Sequence, residues 1–487
     1  MGHRYARKGL GVIVSSSRPR GGLIALCAVS AVPFVVLACG GGEVKPPVTP
    51  TPSTASAAAT PPPVMPATVP TVHSDVTAAA KGAYDRGYAA FFSGDLPGAK
   101  QAFTEASRSD PRAPAPLYSL GTVLDHQGDS GGAQQQYKAA IAVKPDDVTS
   151  IGAYAMSLAL SGHLSEADSY LTNQQQKHKE SAPITTFLAE VKSMENDTAT
   201  AQQLAQDALR MSPDYKPAMV AIAHDHYRAH RTELAKYALD AVLDGFGESS
   251  PPRDKDNADA HLIRGLIREE EGLRAAAMAD FDAARKTRPD LVEALIHLGV
   301  MKLQAGNVQE ATPVLESAVK FAPNAPLAHL NLADAYRLGS RVADAKREFD
   351  KALAMDSSLA VAHYDMGLLY LFSPSVPGAT ASDQIATAIR ELETFRSMRG
   401  AKSGADDVDE LLARAEAKQA DLKAAQAAPP AAAPPAAAPA ASAPPASGAA
   451  APAFKPAPDG AASPASGAAA PAFKPAPGGS TATPAAH

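Results

Sequence analysis

The chain contains no Trp, only two Cys among 487 residues, and an aromatic share of 5%. Bulk for one large mixed core is therefore scarce. Two Cys exclude a disulfide framework and any Cys-based zinc cluster. Alternating strand patterns are missing, as are G-x-x-x-x-G-K-[ST], G-x-S-x-G and G-x-G-x-x-G in a strand–turn–helix context, so a phosphate cradle or a nucleophile elbow has no scaffold. No cofactor-binding, catalytic or metal set is found, and the chain is not expected to be an enzyme. What is abundant is small side chains and proline. Of 42 Pro, nine fall between residues 40 and 79 and fifteen between 426 and 487. Those two segments cannot form a packed domain. Folded structure is expected between residues 80 and 426.

The N-terminus carries Arg4, Arg7, Lys8, Arg18 and Arg20 without one acid, then an apolar run over 22–38 that ends at Cys39. Val36-Leu37-Ala38-Cys39-Gly40 resembles a bacterial lipobox, in which a signal peptide (1–38) is removed and the Cys39 thiol carries a diacylglycerol. The competing reading is an uncleaved anchor, since 17 apolar residues could barely span a bilayer. The Pro-rich tether (39–79) right after Cys39 favours cleavage. Gly40 in place of Asp implies sorting to the outer membrane, with the chain facing the periplasm and the cell surface as the other option. Cleavage removes five cations and takes the net charge from −6 to −11. Nucleic acid and anionic membrane surfaces are thereby disfavoured as partners, and membrane contact is left to the lipid.

A 34-residue period dominates the middle. Leu120-Gly121 is followed at fixed offsets by Ala133, Tyr137, Ala140 and Pro145. One unit earlier the same frame holds Gly87, Ala99, Phe103, Ala106 and Pro111; later frames hold Gly265, Ala277, Phe281, Ala284 and Pro289, then Gly299, Ala311, Leu315, Ala318 and Pro323. This is identified as the tetratricopeptide repeat (TPR) pattern. It implies an all-α, right-handed superhelical solenoid of about nine helix–turn–helix units, flanked by disordered Pro/Ala-rich segments. Small residues at positions 8 and 20 let two helices approach, a large residue at position 24 fills the gap, and Pro at position 32 stops the second helix. Units 1–5 occupy 80–249 and units 6–9 occupy 258–402, with a capping helix over 403–426 and a tail over 427–487. The inserted SSPPRDKDN (249–257) is expected to separate two sub-solenoids, hinged near Pro251-Pro252. Position 4, where TPR units often carry Trp, holds Leu117, Ile151, Met219 and Leu295, so loose packing is expected in some units.

His224, His226 and His230 fall in the fifth unit, and the last two are spaced to face one metal. Without a Glu in the H-E-x-x-H arrangement, a polar helix surface accounts for them better. The resemblance to TPR folds places positions 2, 5, 9, 12 and 13 of the first helix on a concave groove. Tyr84, Tyr88, Phe91 and Tyr118 form one aromatic patch there; Leu330, Arg337, Tyr364, Leu368 and Phe372 form another. These nine are the candidate protein-binding residues, as aromatics give contact area at low entropy cost; packing between helices is the alternative. The Lys–Asn pattern of chaperone-tail clamps is missing, which favours an extended or helical apolar peptide. The tail repeats PASGAAAPAFKPAP from 445 and from 464. It is read as a spacer, with docking to peptidoglycan or a partner as the other option.

Lipobox, tether, long array and tail together resemble envelope lipoproteins that assemble machines. The ninth unit, HYDMGLLYLF–SPSVPG–AIRELETFRSMRG, looks like the TPR lipoprotein of adventurous gliding motility complexes. That resemblance implies a lipid-anchored scaffold that binds protein partners in a trans-envelope assembly. The alternatives are an accessory lipoprotein for cell-wall enzymes and one for pilus or secretin assembly.

Overall fold

A computed structural model describes residues 76–399 and 407–427. The signal peptide, Cys39, residues 39–75 of the tether and residues 428–487 of the tail lie outside the described residues. Nineteen α-helices and no strands occur among the described residues. They pair as α1 (Ala78–Phe92) with α2 (Leu96–Ser109), α3 (Pro114–His126) with α4 (Ser130–Val143), and α5 (Val148–Leu160) with α6 (Leu164–Lys177). Next come α7 (Ala182–Met194) with α8 (Thr198–Met211), α9 (Lys216–Arg228) with α10 (Thr232–Leu243), and α11 (Ala258–Glu270) with α12 (Arg274–Thr287). The last pairs are α13 (Val292–Gln304) with α14 (Val308–Phe321), α15 (Pro326–Leu338) with α16 (Val342–Met355), and α17 (Ala360–Phe372) with α18 (Ala381–Arg399). The final helix, α19 (Val408–Ala427), follows them. All-α repeats in the TPR arrangement are thus the fold.

Local chemistry sets the boundaries. Helices α2, α4, α8, α12 and α14 each end two residues before the Pro at position 32, which lacks the N–H needed to continue and disfavours helical backbone in the residue before it. Asp95, Asp129 and Asp197 cap the second helix of their units, each accepting a backbone N–H three residues on. The turn inside each of the first eight units needs one left-handed residue at position 15. Gly fills it five times (Gly94, Gly128, Gly162, Gly272, Gly306), and Asn196, His230 and Ser340 fill it in the others. His230 therefore lies beyond the end of α9, and its one-turn relation to His226 is broken.

Packing follows the frame. A Cβ added at Gly87, Gly121, Gly265 or Gly299 would sit 2.5–2.6 Å from Phe103, Tyr137, Phe281 or Leu315, so helix contact at position 8 has no room for even a methyl group. Phe103, Tyr137, Leu171, Leu239, Phe281, Leu315, Phe349 and Leu392 are fully buried in the matching gap. Gly367 meets Leu392 in the same way, so the ninth unit keeps its register across the nine-residue insertion, and α18 starts one turn early.

In units 6, 8 and 9, position 4 carries His and forms a polar staple. His261 Nδ1 meets Asp280 Oδ1 at 2.9 Å, His329 Nδ1 meets Glu348 Oε2 at 2.7 Å, and His363 Nδ1 meets Glu391 Oε2 at 2.7 Å. His261 and His329 also place Nε2 2.9 and 2.8 Å from the carbonyls of Lys255 and Pro323, tying each unit to the segment before it. The expected separation of two sub-solenoids at the 249–257 loop does not extend to the core, because Val242 and Leu243 share one cluster with Leu262 and Ile263. One unit earlier a small cluster of Ala182, Ala208 and Ala218 links units 4 and 5.

Two substitutions test the frame by thermal or denaturant unfolding. Gly265→Ala, forced against Phe281, lowers stability by about 1–3 kcal/mol. Ser340→Gly, at an exposed left-handed position, raises it by about 0.5–1 kcal/mol.

Candidate functional site

The first helices of successive units carry the concave face, and on that face the nine candidate residues separate into two environments. Tyr84, Phe91, Tyr118, Leu330 and Leu368 are buried to 4% exposure or less. Partner contact by these five is corrected to internal packing in this conformation, since no area is left to offer. Tyr84 Oη lies 3.1 Å from Ser119 Oγ and its ring 5.4 Å from Phe103. Tyr88, Arg337, Tyr364 and Phe372 are half-buried.

Each patch is covered by a different element. At the C-terminal end the cover is α19. Tyr364 Oη donates to Asp407 Oδ1 at 2.7 Å, Arg414 lies 4.8 Å over the Phe372 ring, and Lys418 Nζ donates to the Leu371 carbonyl at 3.0 Å. Leu411, Leu412 and Ala415 enter the core of units 8 and 9. Arg337 lies along this face, 2.5 Å from Asp334 and 4.0 Å from Asp365.

At the N-terminal end the cover comes from the second half of the array. Phe321, the last residue of α14, stands 6.0 Å from Phe91 and 6.2 Å from His126 by ring centroids. His126 Nδ1 donates to the Phe321 carbonyl at 3.0 Å, and Asn324 Nδ2 donates to the Gln127 carbonyl at 2.5 Å. Units 1 and 2 thus touch the turn after α14 across nearly 200 residues of chain. This contact was invisible to repeat-by-repeat reading.

Behind the contact lies a charged interior. Asp290 is fully buried, with Arg288 at 2.8 Å and His126 Nε2 at 3.7 Å; Arg288 also reaches Asp259 at 3.3 Å. Burial alone would raise the Asp290 carboxyl, but Arg288 and His126 hold it well below the usual carboxylate range. Glu190, His224 and Arg228 form a second group: His224 Nδ1 is 3.1 Å and Arg228 Nη1 is 3.9 Å from the same Glu190 oxygen. His224 is thus accounted for by a carboxylate, and among the described residues no cluster suited to a metal ion occurs.

Two acids in the same interior shift the other way. Burial pushes Glu293 up to about 7 against the pull of His297 and Arg228, and its Oε1 has no hydrogen-bond partner. Burial likewise pushes Asp125 up to about 6, although Tyr137 Oη and Ser157 Oγ donate to it at 2.8 and 3.0 Å. Among the described residues no helix is long and apolar enough to cross a membrane.

The tetratricopeptide repeat model matches residues 84–150, 220–292 and 298–360. Over those residues the chain carries tetratricopeptide repeats, which suggest a protein-binding scaffold. It is similar to a chain of the APC/C hetero-tetramer Cut9–Hcn1, with 16% identity, a TM-score of 0.46, and 65% of this chain covered. The match spans 59% of the length of that chain. The human IFIT1 dimer is similar at 14% identity and a TM-score of 0.38, covering 69% of this chain and 81% of that one. A tetratricopeptide repeat protein from Parabacteroides merdae is similar at 16% and 0.26, covering 62% and 98%.

The shifted acids predict a pH dependence. Between its ordinary value of 4.5 and about 7, folded Glu293 holds a proton that the unfolded chain has released, so stability falls as pH rises through that window. Asp290 acts oppositely: its contribution is present above the ordinary carboxylate value and is lost on acidification. The melting temperature is expected to fall from pH 5 to pH 8. Glu293→Gln should flatten that fall and recover at most about 3 kcal/mol at pH 8; parallel curves for the two proteins would refute the assignment.

Proposed function

We propose that the protein is a lipid-anchored scaffold that holds protein partners in a bacterial envelope assembly. The observation that carries this reading is the pairing of a lipobox at Cys39 with a long tetratricopeptide array and no set of catalytic groups. The lipid fixes one end at the outer membrane. Residues 39–79 act as a tether that frees the array to move within the periplasm. The acidic array then recruits partners rather than the membrane surface. The resemblance of the ninth unit to the gliding motility lipoprotein makes a trans-envelope motility complex the assembly of choice.

Contact area for partners remains at the half-buried aromatics Tyr88, Phe92 and Phe372, and at α10 and the segment after it, where Leu234, Tyr237 and Phe246 are exposed. Tyr237 and Phe246 stack at 4.8 Å. Large exposed aromatics of this kind are common anchors of protein interfaces.

Cys39→Ala tests the anchor. Labelled fatty acid should be incorporated into the wild-type protein and not into the variant, and the variant should leave the membrane fraction. A variant that stays in the membrane with its leader uncut would overturn the lipoprotein reading. In-cell crosslinking followed by mass spectrometry should then recover envelope proteins; recovery of cytoplasmic proteins alone would overturn the location.

A further inference from the structure

Helix α19 lies over the ninth unit, but it is not held there as the repeat helices are held. Each helix from α1 to α17 packs its backbone closely on the next, whereas among the described helices α19 makes no comparable approach to α18 or to any other. Its hold is by side chains, and mostly at one end. Val408, Leu411, Leu412 and Ala415 are buried; from Glu416 onward only Gln419 and Leu422 are even half-buried. A repeat helix buries residues along its length, as α17 does from Ala362 to Leu371.

The contacts that α19 does make define what its seat accepts. It meets positions 5, 12 and 13 of the ninth unit, which are Tyr364, Leu371 and Phe372. Arg414 sets its guanidinium 4.8 Å from the centre of the Phe372 ring, a cation on an aromatic face. Lys418 Nζ donates at 3.0 Å to the Leu371 carbonyl, one of the last four of α17, which no N–H within that helix can satisfy. A cation there also meets the negative end of the helix. Arg414 and Lys418 stand four residues apart, on the same side of α19, and flank the apolar Leu411 and Ala415. The seat thus takes a helix with apolar residues at i, i+1 and i+4 and cations at i+3 and i+7.

We propose that this face of the ninth unit is a docking site for a basic amphipathic helix of a protein partner, and that α19 is the chain's own stand-in, which the partner displaces. The occupant follows from α19 itself, since a helix with its pattern is already seated on these residues. That a partner takes the seat rests on the scaffold reading. The exchange of α19 does not, because it is a property of this chain alone. A tethered helix faces its seat at an effective concentration of about millimolar, so a free segment at micromolar concentration enters only if it binds more tightly or if α19 is weakened.

The experiment reads the exchange without a partner. Its probe is a fluorescent peptide with the sequence of residues 407–427, and its binding to full-length protein is followed by anisotropy. The unaltered protein should bind the peptide weakly, because α19 holds the seat. In the protein, Leu411→Asp with Leu412→Asp removes the apolar hold of α19, and Arg414→Glu with Lys418→Glu reverses its cations. Each pair should tighten peptide binding by about tenfold or more. Arg414 and Lys418 are exposed, so the second pair stays informative if the first impairs folding. A peptide that itself carries Arg414→Glu and Lys418→Glu should bind these variants about tenfold more weakly than the native peptide. Equal binding of the two peptides overturns the basic character of the occupant. Equal affinity for the unaltered protein and both variants, or no binding to either variant, overturns the exchange. An exchange that proceeds as expected while in-cell crosslinking recovers no envelope protein would instead count against the scaffold reading alone.

Discussion

The contact on which the rest of the structure depends is the approach of position 8 to position 24 inside each unit. Five glycines stand where a Cβ would fall within 2.7 Å of a buried ring or leucine. That distance fixes how closely two helices pack, and every later feature inherits it. Alanine at position 20 is fully or almost fully buried in all eight regular units because no larger residue fits beside the same contact. A core assembled from nine such joints has no need of Trp. The absence of Trp goes with close backbone approach, not with weak packing.

The polar interior obeys a different rule. Units 6, 8 and 9 place His at position 4 and a carboxylate on the facing helix. Burial would push those acids up, yet the partners of Asp280 and Glu348 hold both below the ordinary carboxylate range. Units with an apolar residue at position 4 have a non-acidic residue opposite, such as Leu295 with Val314 and Leu117 with Gln136. The two solutions are therefore each internally satisfied. A His without its acid would leave a buried donor unmet, and an acid without its His would leave a buried charge.

Much of the fold was legible because it is local. Helix starts at positions 1 and 17, proline stops at position 32 and small residues at 8 and 20 all act within one unit, so a period of 34 exposes them. The left-handed position 15 was equally legible: five glycines recur there in register, and noticing them would have removed His230 from any metal pairing with His226. The fate of the concave aromatics was not legible. Phe91 and Phe321 meet only because small rotations accumulate over six units, and no pattern within one unit encodes their sum. The same holds for α19: its amphipathic sequence marks a helix, but the pairing of Arg414 with Phe372 depends on where the ninth unit ends.

A stacked array ordinarily couples only neighbouring units, so its ends fray independently. The Phe91–His126–Phe321 contact breaks that rule by tying units 1 and 2 to units 6 and 7. Its strength must nevertheless be modest. Each aromatic pair is worth about 0.5–1.5 kcal/mol beyond its area, and each hydrogen bond about 1 kcal/mol net. The sum is a few kcal/mol, so the contact adds to the stacking of neighbouring units without replacing it. The Asp290–Arg288 pair beneath it is buried, and a buried pair is tolerated only while both partners stay in place, so this join depends on polar geometry as much as on apolar area.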